Sequence, residues 1–323
     1  MRAIVIDKHG GPEVLGLAER PDPEAAPGQV IVKVAAAGVN FIDIYQRTGV
    51  YPVPVPFVPG GEGAGTVVAV GAGVTGLSAG DVVAWAGPGG GYAELAAVPA
   101  SVALRVPDGM DAKVAAAAAL QGLTAHYLCR STFSVSAETV AVVHAAAGGV
   151  GRLLTQMVKR LGGTVVATTS GGPDGAKAAL AREAGADHVV GYGELVATAL
   201  EVTGGRGVDV VYDGVGAATF DDSLKALRPR GMMVLFGASS GQVPPVDPQR
   251  LNSGGSLFLT RPTLGHYMAD AGELAWRASE LFGWIAKGEL DVRIGGEYPL
   301  ADAARAHEDL AGRRTTGKLI LIP

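Results

Sequence analysis

A short glycine-rich segment carries the clearest chemical signal in this sequence. Gly148 and Gly151 follow the apolar run Val140–Val143, and Ala146 stands where a third glycine would complete the pattern G-x-G-x-x-G. In that pattern one glycine lets the backbone approach a pyrophosphate, and another lets a helix pack closely on a strand. The helix N-terminus then offers free N–H groups to the phosphates. A tight strand-to-helix turn without a ligand would have the same spacing, so the elements around the segment must decide between the two.

The end of the next apolar run indicates which dinucleotide would bind. Folds that bind NAD place an acidic side chain about 20 residues after the glycine pattern, where it holds the ribose hydroxyls. Here the run ends in Thr168, Thr169 and Ser170, with no carboxylate, and Lys177 follows. Hydroxyl groups followed by a lysine suit the 2′-phosphate of NADPH. The alternative is that Lys177 is a solvated surface lysine, and the neighbouring Asp174 argues for that alternative.

A second segment has the spacing of a metal site without its ligands. Pro59–Gly65 is similar to the P-G-H-E-x-x-G segment of zinc-dependent medium-chain dehydrogenases, but Gly61 stands where the histidine would be. Asn40 takes the place of a cysteine ligand, and Gln121 or Gly122 takes the place of the third ligand. A catalytic zinc needs three protein ligands with N, S or O donors. The sequence therefore predicts chemistry without a metal.

The elements that must position these residues follow two patterns. Up to Pro107 the apolar runs are short, rich in valine and separated by glycine and proline, which predicts a compact, barrel-like β domain. From Glu138 onward strands alternate with helical stretches, which predicts a parallel sheet with helices on both faces. Between these regions, Asp111 is expected to cap an alanine-rich helix that ends near Leu120, with Gly122 interrupting the helical pattern.

The composition excludes several other classes of protein. The chain has 323 residues, of which 48% are hydrophobic and 18% are charged, so it is not a disordered protein. Its 26 Lys and Arg against 31 Asp and Glu give a net charge of −5, and no basic cluster is present. Neither nucleic acid nor a membrane is therefore expected as a partner. The charged N-terminus and the lack of an apolar span of about 20 residues predict a cytoplasmic protein.

Six segments along the chain share motifs with one family. They are His9–Leu15, Gly38–Asp43, Tyr45–Pro52, His144–Gly151, Val211–Gly216 and Thr260–Thr263. In these segments, and over essentially its whole length, the chain resembles the zinc-free quinone oxidoreductases of the medium-chain dehydrogenase/reductase superfamily, the group that includes zeta-crystallin.

The resemblance implies an α/β fold of two domains. Residues 1–122 and 263–323 would form a partly open GroES-like β-barrel domain, and residues 123–262 a Rossmann domain with a doubly wound parallel sheet. The cofactor would lie in the cleft between them. A homodimer joined through the Rossmann edge strand near Phe236 is also implied.

The resemblance also carries site residues to positions in this sequence. Asn40, Tyr45 and Tyr51 would face the nicotinamide and orient the substrate, although each could instead be a packing residue, and Asn40 could simply cap a turn. The NADPH contacts would be Phe41, Ile42, Asp43, Ile44, Tyr45, Thr124, Tyr127, Gly148, Gly149, Val150, Ser170, Lys177, Tyr192, Val215, Phe236, Gly237, Ala238, Ser239, Ser240, Pro262, Thr263, Leu264 and Arg313.

The implied activity is the reduction of a quinone by hydride or electron transfer from NADPH, without a metal. A quinone is already electrophilic, so the protein's contribution would be to position the cofactor and the acceptor. Two alternatives stay open at this point. One is the NADPH-dependent reduction of an enone or alkenal double bond. The other is a non-catalytic role as an NADPH-binding, crystallin-like or RNA-binding protein, and for RNA the net charge of −5 is unfavourable.

Overall fold

The structure is a computed structural model that describes residues 1–323. The chain divides into two compact units. The first unit consists of Met1–Leu123 together with Met268–Pro323, and the second unit is Thr124–Tyr267. None of the helices combines the length and the apolar composition that crossing a bilayer requires.

The chain forms fifteen strands and nine α-helices. The strands are β1 (Arg2–Val5), β2 (Gly16–Glu19), β3 (Gln29–Val39), β4 (Glu62–Val70), β5 (Val82–Ala86), β6 (Leu95–Pro99), β7 (Ala103–Arg105), β8 (Val140–Val143), β9 (Thr164–Thr168), β10 (His188–Val190), β11 (Val208–Asp213), β12 (Leu227–Leu235), β13 (Phe258–Thr260), β14 (Ile294–Pro299) and β15 (Lys318–Ile322). The helices are α1 (Phe41–Arg47), α2 (Ala112–Tyr127), α3 (Gly149–Arg160), α4 (Ala176–Glu183), α5 (Leu195–Val202), α6 (Phe220–Ala226), α7 (Gln249–Ser253), α8 (Ala271–Ala286) and α9 (Ala303–Ala311).

The first unit is built around a seven-stranded sheet in the order β14-β15-β3-β4-β5-β7, with β6 also pairing with β3. All pairs are antiparallel except β14 with β15. The long strand β3 changes register twice along β4, and such bulges let a strand curve around a core. Leu319 of β15 pairs with Val39 of β3, so Lys318 lies next to Asn40 in space. This pairing joins the two ends of the chain in one site.

The second unit contains a six-stranded sheet that is parallel throughout, in the order β10-β9-β8-β11-β12-β13. If the strands are counted within the unit, this order is 3-2-1-4-5-6, the order of the doubly wound Rossmann fold. Valines such as Val142, Val166 and Val211 are fully buried in its core. The predicted class, a Rossmann fold together with a β domain, is confirmed.

The prediction that Gly122 interrupts the alanine-rich helix was wrong. Helix α2 runs without a break to Tyr127 and continues as a π-helical turn over Leu128–Thr132. A Cβ atom added to Gly122 would lie 2.6 Å from Leu281 Cδ1 on α8. The glycine therefore permits the close approach of α8 and does not end the helix. The predicted cap is present, since Asp111 Oδ1 accepts the N–H of Lys113 at 2.7 Å.

The prediction that Phe236 lies near an edge strand was also wrong. Phe236 follows β12, which lies between β11 and β13, and the edges of the parallel sheet are β10 and β13. The sequence did not reveal β13 because the strand has only three residues.

Candidate active site

Tyr45 and Tyr51 are brought together by helix α1 and the loop that follows it. The N–H of Tyr51 donates to the carbonyl oxygen of Tyr45 at 3.0 Å, and the two ring centroids are 5.2 Å apart. The ring of Phe41 lies 6.2 Å from that of Tyr45. Tyr51 is 37% exposed, so these rings form an aromatic surface that a flat ligand could reach.

Asn40 immediately precedes α1, and its side chain points into a buried polar cluster. Its Nδ2 donates to Glu62 Oε2 at 2.8 Å. Its Oδ1 accepts hydrogen bonds from Lys318 Nζ at 2.6 Å and from Gln121 Nε2 at 3.3 Å. Only 4% of Asn40 is exposed. Sequence reasoning identified Asn40 and noted Gln121 only as a position that corresponds to a zinc ligand, and it assigned no role to Glu62 or Lys318.

Glu62 and Lys318 form an ion pair inside the first unit, with both side chains almost completely buried. The second carboxylate oxygen of Glu62, Oε1, accepts the N–H of Leu120 at 2.6 Å. A Cβ atom added to Gly38 would lie 2.7 Å from both Glu62 Cδ and Lys318 Cε, so this glycine provides the space for the pair. Burial lowers the pKa of Lys318, while Glu62 acts in the opposite direction.

A second chain of hydrogen bonds runs from Asp43 to Arg47 through other elements. Asp43 Oδ2 accepts from the N–H of Asn40 at 2.8 Å and from the hydroxyl of Tyr92 at 3.1 Å. His307 of α9 lies between Tyr92, with Nε2 at 3.0 Å from the hydroxyl, and Arg47, with Nδ1 at 3.4 Å from NH1. Burial raises the pKa of Asp43 to about 6 and lowers that of His307 to about 3. His307 is therefore neutral at pH 7. Because the guanidinium of Arg47 can only donate, it requires the lone pair on Nδ1, and the ring proton on Nε2 is then donated to the hydroxyl oxygen of Tyr92.

The glycine turn of the second unit has the geometry that its spacing predicted. Gly148 caps α3, and its N–H donates to the carbonyl oxygen of Ala145 at 2.8 Å. A Cβ atom on Gly151 would lie 2.9 Å from Ala146 Cα, so the glycine allows the helix to pack on the turn. The free N–H groups at the start of α3 lie at the carboxyl ends of the parallel strands, where nucleotides bind in this fold.

Ser170 and Lys177, the residues predicted to bind the 2′-phosphate, are in contact. Lys177 Nζ donates to Ser170 Oγ at 2.9 Å, because the loop after β9 folds back toward the start of α4. Asp174, which argued against an anion site, is exposed in the same loop. The structure thus places a hydroxyl and an ammonium group side by side.

His144 is an interior histidine with both ring nitrogens in hydrogen bonds. Its Nδ1 lies 2.8 Å from Thr168 Oγ1, and its Nε2 lies 2.9 Å from Ser223 Oγ. Ser223 in turn contacts Asp213 Oδ2 at 3.0 Å, and Asp213 Oδ1 accepts the N–H of Val215 at 2.7 Å. This network connects the ends of β9, β8 and β11 and shapes the loop that contains Val215.

The remaining predicted NADPH contacts of the second unit fall into two groups. The loop after β12 is bonded to the loop after β11, since the N–H of Ser240 donates to the carbonyl oxygen of Val215 at 2.8 Å. Tyr127 is buried and stacks on Tyr267 with 4.2 Å between the ring centroids. The first group lies in these two loops and consists of Val215, Phe236, Gly237, Ala238, Ser239 and Ser240. The others are Thr124, Tyr127, Gly149 and Val150, Tyr192, whose ring centroid lies 5.8 Å from that of His144, and Pro262, Thr263 and Leu264 after β13.

The predicted NADPH contacts of the first unit differ from one another in how far solvent can reach them. Ile42 and Ile44 lie on α1 beside Tyr45, and Ile42 is exposed. Asp43 is fully buried and its carboxylate accepts only from groups of the first unit itself. Arg313 is exposed at the end of α9, with a φ of 54°.

The three positions that correspond to zinc ligands remain neighbours around α1. Asn40 and Gln121 are in hydrogen-bond contact, and the N–H of Gly61 lies 3.4 Å from Asp43 Oδ1. No group of three or more His, Cys, Asp or Glu side chains in the chain is arranged to hold a metal ion.

Comparison with known proteins first gives the class. Residues 26–108 match the family of alcohol dehydrogenase GroES-like domains, and residues 184–321 match the family of zinc-binding dehydrogenases. The combination of a GroES-like domain with a Rossmann domain defines the medium-chain dehydrogenase/reductase class.

Relatives that match over their full length then identify the family within this class. The chain is 44% identical to a quinone oxidoreductase of Pseudomonas aeruginosa, over 100% of this chain and 99% of the relative. It is 42% identical to the Escherichia coli quinone oxidoreductase solved in complex with NADPH, covering 100% of both chains with a TM-score of 0.95. It is also 38% identical to a 2-haloacrylate reductase of Burkholderia sp., over 99% of this chain and 98% of the relative. The chain belongs to the quinone oxidoreductase family.

Proposed function

We propose that this protein reduces quinones with NADPH as the electron donor and without a metal. The observation that carries the proposal is the relationship over the full length of both chains to a quinone oxidoreductase that binds NADPH. The contact between Ser170 and Lys177 supports the choice of NADPH over NADH.

The residues of the second unit fit a bound dinucleotide phosphate. The first N–H groups of α3, beginning at Gly149, would hold the pyrophosphate. Lys177 and Ser170 would hold the 2′-phosphate through charge-assisted and hydroxyl hydrogen bonds. When bound, NADPH supplies the hydride that the reaction requires.

In the first unit, Asn40, Tyr45 and Tyr51 would orient the quinone. Reducing a simple ketone places a full alkoxide charge on oxygen, which calls for a metal or a positioned acid. In a quinone the incoming charge spreads over a ring that becomes aromatic, so aromatic stacking and one or two hydrogen bonds are enough.

We therefore expect Tyr51→Ala to lower kcat with quinone about 10-fold or more, since an aligned bound geometry is lost. Its Kd for NADPH should stay within about twofold, and Tyr51→Phe should keep most of the activity.

Steady-state rates on one substrate panel test the proposal. The panel contains benzoquinone, naphthoquinone, an enone, an alkenal and a simple ketone, each with NADPH and with NADH. We expect the highest kcat/KM with NADPH and a quinone, little turnover of the ketone, and no loss of rate in a chelator. Absence of quinone-dependent NADPH oxidation would refute the function. A rate that falls in chelator and returns with zinc would refute the metal-free reaction.

A second candidate is the reduction of an activated carbon–carbon double bond. It is favoured by the 38% identity to a 2-haloacrylate reductase over nearly the whole of both chains. The same panel separates the two functions, because a larger kcat/KM for the enone or alkenal than for every quinone would assign this activity instead.

We also propose that the protein is a cytoplasmic homodimer that binds no nucleic acid, with a Rossmann domain over 123–262 and a catalytic domain from 1–122 and 263–323. Phe258 supports the dimer, because it is 56% exposed on the short edge strand β13. The single cysteine, Cys129, is buried and has no second cysteine in the chain with which to form a disulfide, in keeping with a reducing compartment. A gel shift on RNA that leaves the mobility unchanged is the expected result for nucleic acid.

A further inference from the structure

The buried ion pair between Glu62 and Lys318 has a consequence for Asn40. We propose that Glu62 and Lys318 are positioning residues that fix the side-chain amide of Asn40 so that it offers the substrate an N–H donor and never its carbonyl oxygen. The inference rests on the proposed quinone reduction, which gives Asn40 its place in the site.

Stability alone does not account for this pair. Taking two charges out of water costs several kcal/mol per ion, and a well-packed apolar pair of similar volume is often as stable or more so. The chain nevertheless keeps both charges buried and leaves out a side chain at Gly38 to make room for them. It also commits the N–H of Leu120 to Glu62. Such a construction indicates a role in orienting neighbouring groups.

The two charges dictate which way the amide of Asn40 faces. The carboxylate of Glu62 can only accept hydrogen bonds, so it requires the Nδ2 side of the amide. The ammonium of Lys318 can only donate, so it requires the Oδ1 side. Rotating the amide by 180° would turn both contacts into repulsions. A neutral pair could not impose this choice, because hydroxyl and amide groups both donate and accept.

Counting the hydrogen-bonding capacity of Asn40 shows what remains for a ligand. An asparagine amide has two N–H donors and one oxygen with two lone pairs. Lys318 and Gln121 take the two lone pairs, and Glu62 takes one N–H. One N–H is left. Asn40 can therefore act on a substrate as a donor only.

A donor is what the reduction of a quinone needs. The hydride from NADPH, which becomes NADP⁺, brings two electrons to the quinone and leaves negative charge on an oxygen, and a proton from water then completes the hydroquinone. A donor already aimed at that oxygen stabilises the charge as it develops, without reorganisation during the reaction. A carbonyl oxygen in the same place would repel it.

The test removes both charges at once and keeps the volume of the pair. In the double variant Glu62→Met with Lys318→Met both charges that orient the Asn40 amide are gone, and only the longer contact from Gln121 at 3.3 Å still holds its oxygen. We expect kcat with naphthoquinone to fall 10- to 100-fold, approaching the loss of a single oxyanion donor, while KM for NADPH stays within about twofold. The control is the same pair of substitutions at Lys113 and Glu297, an exposed ion pair of the first unit, which should leave kcat unchanged.

A binding measurement tests the donor without turnover. The probe is 4-nitrophenol, titrated by absorbance on the full-length protein in the presence of NADP⁺. A fixed N–H donor should lower the pKa of the bound phenol below that of the free phenol. This lowering should be lost in Asn40→Leu, which has no donor, and should shrink in the double variant, whose amide is less firmly oriented. A donor whose orientation does not depend on the pair would leave the double variant like the wild type in both measurements, and that result would overturn the inference.

A milder variant covers the case in which the double variant does not fold. Glu62→Gln keeps the shape but presents either an oxygen or an NH₂ group to Asn40. We expect kcat to fall less than in the double variant. The pKa of the bound phenol should be lowered less than in the wild type, and a lowering equal to that of the wild type would contradict the proposal. If the wild type binds nitrophenol as expected but reduces no quinone, the proposed function fails while the orientation of Asn40 stands.

Discussion

At the scale of single residues, two glycines of this chain are required by the atoms beside them. Gly151 lets α3 approach the strand turn, and Gly38 leaves room for the Glu62–Lys318 pair. Neither position has a left-handed backbone, so any residue could adopt the local conformation. The requirement is therefore for space, and it can be measured by adding a single methyl group.

We expect Gly38→Ala to lower the free energy of unfolding by about 1–3 kcal/mol, the usual cost of overpacking a filled interior. Urea unfolding followed by circular dichroism measures this as a lower midpoint at constant slope. The control is Gly283→Ala on α8, where an added Cβ meets nothing within 4 Å. That variant should be neutral or gain about 0.5–1 kcal/mol of helix stability. Equal effects at both positions would contradict the packing argument.

Lys177 decides the choice of cofactor in the proposed function. A charge-assisted hydrogen bond to the 2′-phosphate is worth about 1.5–3 kcal/mol, so Lys177→Ala should weaken NADPH binding about 10- to 100-fold and leave NADH nearly unaffected. Fluorescence titration gives both dissociation constants. Lys225→Ala on α6, an exposed lysine of the same unit, is the matched control. If both cofactors weaken equally, the 2′-phosphate lies elsewhere.

The sequence alone predicts some of these residues and not others. Gly151, Ser170 and Lys177 are close to one another in the chain, so a local pattern is enough to find them. Glu62 and Lys318 are 256 residues apart, and nothing in their types shows that they are buried or paired. Their contact arises from the pairing of β15 with β3, which only the folded structure provides.

At the scale of elements, helices α1 and α9 are connected by polar groups in the interior. Tyr92 and His307 link Asp43 on α1 to Arg47 on the same helix by way of α9. In this hydrogen-bonded path, Asp43 and His307 have pKa values that are shifted in opposite directions. The folded His307 resists protonation until about pH 3 against an ordinary pKa of 6.5, whereas the folded Asp43 takes up its proton near pH 6 against 3.8.

The shifted pKa values of His307 and Asp43 contribute to the pH dependence of stability. Between pH 6.5 and 3 the unfolded chain binds a proton at His307 that the folded chain does not, so acidification destabilises the fold through His307. Between pH 6 and 3.8 Asp43 contributes the opposite effect. The variant His307→Gln lacks this group. Between pH 7 and pH 5 its free energy of unfolding should therefore fall by about 2 kcal/mol less than that of the wild type, at 1.4 kcal/mol per pH unit.

Urea unfolding at the two pH values measures this difference. The exposed His188→Gln serves as the control and should behave like the wild type. A His307→Gln variant that loses as much stability on acidification as the wild type would show that His307 is protonated in the folded state.

Most elements were predictable because their signals are periodic. The alternation of strands and helices after Glu138 predicted the parallel sheet that the structure contains. Gly122 misled because a glycine that admits Leu281 looks the same in sequence as one that ends a helix. The strand β13 has only three residues, too few to show an alternating pattern, and it is recognised only by its pairing with β12 in the folded structure.

At the scale of the whole molecule, the exposed edge of the parallel sheet bears on assembly. Phe258 on β13 is the most exposed of the large hydrophobic residues. An edge strand with an exposed aromatic ring offers a second copy both unpaired backbone groups and apolar area.

We expect Phe258→Lys to convert the proposed homodimer into a monomer, because a charge at the centre of an apolar contact opposes association. Light scattering coupled to gel filtration should then give 32.5 kDa for the variant and twice that mass for the wild type. Leu200→Lys, an exposed residue of α5, is the control and should remain a dimer. A wild type that already runs as a monomer would exclude the proposed assembly.

The sequence separation of 256 between Glu62 and Lys318 also determines the order of events during synthesis. At 5–20 residues per second a ribosome needs roughly 10–50 s to travel from one to the other. During that time the carboxylate of Glu62 has no ammonium partner, and β3 lacks the strand that will pair with its end. The second unit, by contrast, is complete in one continuous stretch of chain and can fold while the first unit waits. The nascent protein should therefore acquire a folded nucleotide-binding sheet before the Asn40 cluster exists.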